Sequence, residues 1–419
     1  MSATAHETRF GDEHLTFAAL HDDPYPLLAR LRDETPVRHA PAMGMWLVTR
    51  RDLILTVLRD PATFTVERDD SPIRDTFGRH MLSTDGERQR RDKSACAPPF
   101  NARAVREDAG PAVAHECERL LERLAGSVTG DIGWAELRGA LAGPLAVFSV
   151  AHLLGLPVGV HATLRGWYDD FAAALADFDP TSRARARGRA RAEEFRRVVR
   201  WLVRRARDEG EGAVHGRTLL GALARGESSG NGGSDRLDDE AICANALIVL
   251  FGGIETTEAA ILNATWSLLA HPAQAELVRR EPSLLPNAIE ESLRWEPAVQ
   301  TCHRYATRDV VLGGVTVPAG ATVQCMIGGA NRDPAHFEGP DVFDVRRANA
   351  SDHLAFGVGR HFCLGAALAR REVQLALGGL LARFPTIALD SDRPCRPEGH
   401  EFRKPPELWV RWDSGERHR

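Results

Sequence analysis

Cys363 stands in the string Phe356-Gly-Val-Gly-Arg-His-Phe-Cys-Leu-Gly365, and the apolar spacing of Leu364, Ala367, Leu368, Val373 and Leu375 beyond it predicts a helix. Gly357 and Gly359 permit backbone angles and close approaches that a Cβ would forbid. A cysteine at a helix start meets free N–H groups and the positive end of the dipole, and both favour the thiolate. The pattern therefore offers a soft anionic ligand for a metal, although a lone free cysteine is more often a small buried hydrophobe. A second chemical cluster is Gly252-Gly253-Ile254-Glu255-Thr256-Thr257, in the middle of a long apolar stretch. Each glycine costs about 1 kcal/mol relative to alanine in a helix interior, and a buried carboxylate costs more unless it is paired or protonated. Two penalties at one point predict a functional reason.

Those clusters need elements to position them. Asp238 is the predicted cap of a helix running from Asp239 to about Ala270 and stopped by His271-Pro272. Its length is about 48 Å at 1.5 Å per residue, and apolar residues on all sides of its middle predict burial. Further helices are predicted from Pro24 to Glu34, Asp52 to Leu58, Pro111 to Leu124, Trp134 to Leu154 and Ala288 to Trp295. Two more, broken at Asp179-Pro180, fill Val160 to Gly210. Met45 to Thr49 reads as a strand, and Val310 to Val317 as two short strands about Gly313-Gly314. Phe64 to Thr84 is polar and irregular. The fold class is mainly α with a small β region, in one domain spanning residues 1–419, with residues 1–20 as a loose arm.

Composition excludes several alternatives. A chain of 419 residues can bury a large core, and a net charge of −5 argues against a nucleic-acid or membrane-surface protein. The arginine-rich run from Ser182 lacks interleaved aromatic residues and reads as a solvated helix face. Seven scattered cysteines without a Cys-x-x-Cys pair argue against a disulfide framework or structural zinc, and fit a reducing cytoplasm. The first residues have no basic start and no apolar core, so no signal peptide and no membrane span are expected. The literal Gly-x-Ser-x-Gly match at Gly226 to Gly230 lacks the strand and helix that a hydrolase elbow needs.

The string from Phe356 to Gly365 resembles the haem-binding loop of the cytochrome P-450 family, Phe-Gly-x-Gly-x-His-x-Cys-x-Gly, at Phe356, Gly357, Gly359, His361, Cys363 and Gly365. Gly253, Glu255 and Thr256 match the family's Gly-x-(Asp/Glu)-Thr motif, and Glu291 and Arg294 its Glu-x-x-Arg. The resemblance implies haem b between the long helix and the cysteine helix, with Cys363 as the axial thiolate. It implies that Gly252 and Gly253 open a groove for dioxygen, that Thr256 hydrogen-bonds the oxygen and that Glu255 relays protons. Arg304 and His361 would reach the haem propionates. Gln89 and Lys93 occupy positions where the family commonly has histidine and arginine for the same task. Arg346 would join Glu291 and Arg294 in a structural network. The stretch from Ala298 to His303 would line the pocket, with Val299, Gln300, Thr301 and His303 as substrate-contact candidates beside Ile254.

By the same resemblance the reaction inserts one oxygen atom from dioxygen into an apolar small molecule, most simply as hydroxylation or epoxidation in specialised-metabolite tailoring. Oxidative coupling or desaturation at the same centre, and a non-catalytic haem sensor, are the alternatives. No flavin, nucleotide or Fe–S motif is present, so electrons would come from NAD(P)H through a ferredoxin reductase and a ferredoxin. The basic cluster Arg88, Arg90, Arg91 and Lys93 is the expected docking face, on a cytoplasmic monomer.

Overall fold

The central helix (Asp239–Leu269) forms where its cap and stop predict. The Asp238 carboxylate accepts the Ala241 N–H at 2.7 Å, meeting one of the orphan donors of the first turn. Residues 241–251 are buried without interruption, so this helix has no solvent face in its first half. It is apolar and long enough to cross a membrane, but that apolar surface lies inside the protein. The computed structural model describes residue 11 and residues 14–126, 131–177, 179–209, 218–226 and 236–413. Residues 1–10 of the expected arm, and the Gly-x-Ser-x-Gly string beyond Gly226, lie outside them.

The central helix contributes to two apolar clusters. One joins its first half to Gly143–Leu154, His161–Leu175 and Arg183–Glu209. The other joins its second half to Gly110–Gly126, Leu285–Trp295 and the cysteine helix (Ala366–Arg383). A five-stranded sheet flanks this body in the order Val37–Ala40, Met45–Val48, Thr322–Met326, Thr301–Ala306, Phe64–Thr65. Its one parallel pairing, Met45–Val48 on Thr322–Met326, brings distant parts of the chain together. The hairpin at Gly313-Gly314 forms with Val311 opposite Thr316, and both glycines take positive φ.

Three local expectations change. Trp134 to Glu136, expected to begin a helix, belong instead to a strand (Ile132–Glu136) paired antiparallel with Trp409–Asp413. Gly133 sits where a Cβ would fall 2.2 Å from the Trp412 indole, so close sheet packing overrides the helical spacing. Residues 15–20 of the expected loose arm are anchored, because Leu15 and Leu20 are buried against Leu28 and Leu31. The arginine run is more than a solvated face: Arg185 is buried with its guanidinium 2.6 Å from Asp75, and Arg187 and Arg191 both reach Asp170.

Candidate active site

The cysteine loop is shaped by its glycines. Gly357 (φ 66°) and Gly359 (φ 70°) lie in the left-handed region that side chains disfavour. A Cβ on Gly359 would also approach the Leu58 carbonyl at 3.3 Å. The turn closes with the Cys363 N–H donating to the Phe356 carbonyl at 2.8 Å. Phe356 lies beneath the Arg370 guanidinium at 4.5 Å, and Arg370 is held by Glu290 at 2.6 and 2.8 Å. Burial would raise the Glu290 carboxyl, but Arg370 and His353 outweigh it and hold the pKa at about 2.

Cys363 precedes the helix rather than starting it, since Gly365 is the N-cap and Ala366 the first helical residue. Burial pushes its thiol up, against the Gly365 N–H and the positive charges of Lys93 and Arg370. Left to itself the loop thus favours the neutral thiol, contrary to the helix-start expectation. A coordinated thiol is deprotonated outright, so a metal would supply the stabilisation that the helix end does not.

The central helix, which meets the cysteine helix where the Thr257 hydroxyl donates to Glu372 at 3.5 Å, presents two kinds of glycine. A Cβ on Gly252 would meet nothing within 4 Å, whereas one on Gly253 would lie 2.7 Å from Val150. Gly252 therefore faces open space, and Gly253 lets Gly143–Leu154 pack close, which corrects its expected cofactor role. Thr256, one turn beyond Gly252, is half-buried and donates its hydroxyl to the Gly252 carbonyl at 2.6 Å. With that proton engaged, the oxygen lone pairs remain to accept a hydrogen bond on the open side.

Glu255 is buried, and its Oε2 lies 2.8 Å from Lys404 Nζ. The same ammonium reaches Glu258 Oε1 at 2.8 Å, and Glu258 also takes Arg138 at 2.8 Å and Arg165 at 2.5 Å. Burial would raise the Glu258 carboxyl, but Lys404, Arg165 and Arg138 outweigh it and hold it below the usual range. Lys404 was missed from the sequence; nothing around it marks a site except that the chain has one other lysine, Lys93. Replacing Lys404 with Met leaves Glu258 two cations and removes the ion-pair partner of Glu255. The variant is expected to lose about 1–3 kcal/mol, the range for a stranded buried polar group. Urea titration checks this, with Lys404→Arg as the charge-preserving control.

Other expected residues divide by where they point. Arg304 is buried, and its side chain's only hydrogen bond among the described residues runs to the His303 carbonyl at 2.7 Å. His361 Nε2 pairs with Asp85 at 2.9 Å, while its Nδ1 is buried without a partner. Gln89 Nε2 donates to the Arg360 carbonyl at 2.9 Å, and Lys93 Nζ reaches the Arg360 and Phe362 carbonyls at 2.6 and 2.7 Å. Both side chains thus hold the backbone of the cysteine loop.

Three of the pocket candidates are corrected. Ile254 is fully buried in the apolar core, since the helix turns it away from the Gly252 face. Gln300 is buried, and its Nε2 donates to the Tyr25 hydroxyl, to Glu296 and to the Pro297 carbonyl. The Thr301 hydroxyl accepts from Gln324 at 2.5 Å inside the sheet. Val299 and His303 are half-buried, and burial drops the His303 pKa to about 4, keeping it neutral. Val299 bridges to Phe402, whose ring meets Phe251 edge-on at 5.9 Å; Phe402 was missed because its segment has no helical or strand periodicity. The third arginine of the Glu291 network is Arg347, 3.1 Å from Glu291, whereas Arg346 pairs with Glu281 at the surface.

These residues fit a flat, carboxylate-bearing iron macrocycle. Cys363 offers the metal ligand, the orphaned His361 Nδ1 and the sparsely bonded Arg304 offer partners for carboxylates, and the Gly252 face offers room. The family model for cytochrome P450 matches residues 160–408, which include both the central-helix motif and the cysteine loop. The chain is a cytochrome P450. It is 36% identical to the cytochrome P450 monooxygenase PikC of Streptomyces venezuelae, over 88% of this chain and 85% of the relative. It is 33% identical to 6-deoxyerythronolide B hydroxylase of Saccharopolyspora erythraea, over 89% and 92%. The crystal structure of CalO2 superposes with a TM-score of 0.84 at 29% identity, covering 97% of this P450 and all of that chain. The cofactor is haem b with Cys363 as its axial thiolate, and the protein is a monooxygenase of bacterial type.

Proposed function

We propose that this P450 hydroxylates or epoxidises a largely apolar small molecule in specialised metabolism, with electrons delivered from NAD(P)H through a ferredoxin. The observation that carries the reading is the pairing of an open Gly252 face with Thr256 and the Lys404-held Glu255 on consecutive turns of one helix. The relatives named as a P450 monooxygenase and as a hydroxylase of 6-deoxyerythronolide B support this reading. When bound, the haem supplies dioxygen binding and the two-electron chemistry of O–O cleavage.

The chain supplies the rest. Thr256, its proton committed to Gly252, accepts a hydrogen bond from a water or protonated oxygen in the groove and fixes its position. Glu255 exchanges protons with that site, and Lys404 sets the carboxylate's direction and charge. Phe402, half-buried and backed by the Phe251 ring, offers an apolar surface for the substrate body. On the opposite side Phe362 and Arg360 are exposed beside Lys93. Around them Arg90 pairs with Glu87, and Arg88 and Arg91 share Asp92, leaving a net positive face for an acidic ferredoxin. Cytoplasmic operation accords with seven free thiols.

Thr256→Ala is the test. Oxygen and NAD(P)H consumption should continue, while product formed per electron falls about 100-fold or more, the lower end of the scale of a positioned proton-transfer group. The missing electrons should appear as hydrogen peroxide. Unchanged coupling would remove Thr256 from the mechanism.

A further inference from the structure

Two of the seven cysteines face each other. Cys302 on Thr301–Ala306 is the register partner of Cys325 on Thr322–Met326, and the two strands are antiparallel. The other five stand on helices or in loops. Further along the same ladder the Ala306 N–H donates to the Ala321 carbonyl at 3.0 Å. Hydrogen-bonded pairs recur at every second residue, so Cys302 and Cys325 form one, with Cα atoms about 5.5 Å apart. Disulfides span Cα separations of about 4.4–6.8 Å. The Cβ atoms of facing residues lie about 4.5–5.5 Å apart, slightly beyond the roughly 3.5–4.5 Å of a disulfide. Closure is therefore within reach but strained, which makes the bond easy to reduce again.

The two thiols are not equivalent. Cys325 is fully buried, whereas Cys302 is half-buried at the edge of the same apolar cluster. The hydrogen bond to Cys325 lowers the Cys302 thiol, against burial and with help from the Arg304 charge; the same bond and burial raise Cys325. Cys302 is thus the attacking sulfur and Cys325 the resolving thiol. A monooxygenase supplies the oxidant itself, since reduced oxygen that misses the substrate leaves as hydrogen peroxide. The Cys302 sulfur attacks one peroxide oxygen: the S–O bond forms, the O–O bond breaks, and hydroxide leaves and takes up a proton. The Cys325 sulfur then displaces the sulfenic oxygen: the S–S bond forms, the S–O bond breaks, and a second water carries off the Cys325 proton. The thiols lose two electrons and the peroxide gains them.

We propose that Cys302 and Cys325 form a peroxide-sensitive thiol pair whose closure loosens the haem. Arg304 lies two residues beyond Cys302 on the same face of the strand, and its guanidinium is one of the groups offered to a haem carboxylate. The apolar cluster that holds the pair also takes Leu354 and Val358, which flank Phe356 of the cysteine loop. Drawing the strands together shifts both supports, whichever substrate the protein oxidises.

The test treats the haem-loaded protein with an equimolar amount of hydrogen peroxide and digests it without reductant. A peptide pair linked through Cys302 and Cys325, lighter than the two thiol peptides by two hydrogen atoms, should appear and should vanish with dithiothreitol. Haem transfer to apomyoglobin should quicken about 10-fold or more in the oxidised protein, the scale of one charge-assisted hydrogen bond, and dithiothreitol should restore the slow rate. Cys302→Ser and Cys325→Ala should each keep the slow rate after peroxide and the red-shifted carbon monoxide band before it. An unlinked pair once the peroxide is consumed would overturn the inference. So would a linked pair with unchanged haem transfer, or faster transfer that persists in both variants.

Discussion

Glu291→Gln is expected to destabilise the protein by about 3–5 kcal/mol, the range for breaking a buried ion pair from one side. Glu291 and Arg294 are both fully buried, and their contact is bidentate at 2.6 and 2.7 Å. Glu291 also accepts from Arg347 Nε at 3.1 Å and from the Asp344 N–H at 2.9 Å. Arg294 in turn donates to the carbonyls of Asn331, Pro340 and Val342. Removing the carboxylate charge leaves two guanidinium groups facing each other in a site that water does not reach.

The damage should travel toward the haem. Asn331, whose carbonyl Arg294 holds, accepts the Leu354 N–H at 2.7 Å, two residues before Phe356 opens the cysteine loop. Urea denaturation should therefore show a lower midpoint for Glu291→Gln, with haem release no later than loss of helix signal. Arg347→Met should follow the same course. Arg346→Met should stay within about 0.5 kcal/mol of the parent, as surface pairs do, because Arg346 and Glu281 are both half exposed. Equal losses for Arg346 and Arg347 would contradict the assignment of the network.

The sequence was most legible where local chemistry decides the outcome. Asp238 and His271-Pro272 delimit the central helix to within a residue, because cap and stop act locally. The Gly313-Gly314 turn formed for the same reason. Legibility failed where packing partners distant in sequence decide. Ile132–Glu136 became a strand because residues 409–413 lie beside it, and Gly133 was selected by the Trp412 ring. Gly252 and Gly253 look alike in the sequence, yet only Val150 tells the packing glycine from the open one.

The site shows the same division. Glu255 and Thr256 were visible as a flaw in an apolar helix, but Lys404, 149 residues later, was not. Gln300 and Thr301 are polar residues in the right stretch that face the sheet and the Tyr25–Glu296 network instead. Arg346 and Arg347 are adjacent in sequence, and only the turn at Asp344 determines which one reaches Glu291.

The second large effect is at the iron ligand. Cys363 has no structural task that serine would fail: its backbone N–H closes the loop onto Phe356, and a hydroxyl fits where the thiol stands. Loop geometry should therefore survive in Cys363→Ser, along with the Phe356–Arg370 contact and the Glu290 pair. What disappears is the soft anionic ligand. The reduced, carbon monoxide-treated protein tests this most directly. The native protein should show the red-shifted band of a thiolate-ligated haem, and Cys363→Ser should lose it entirely while helix content is unchanged. A red-shifted band that persists in Cys363→Ser would place the thiolate elsewhere and contradict the account.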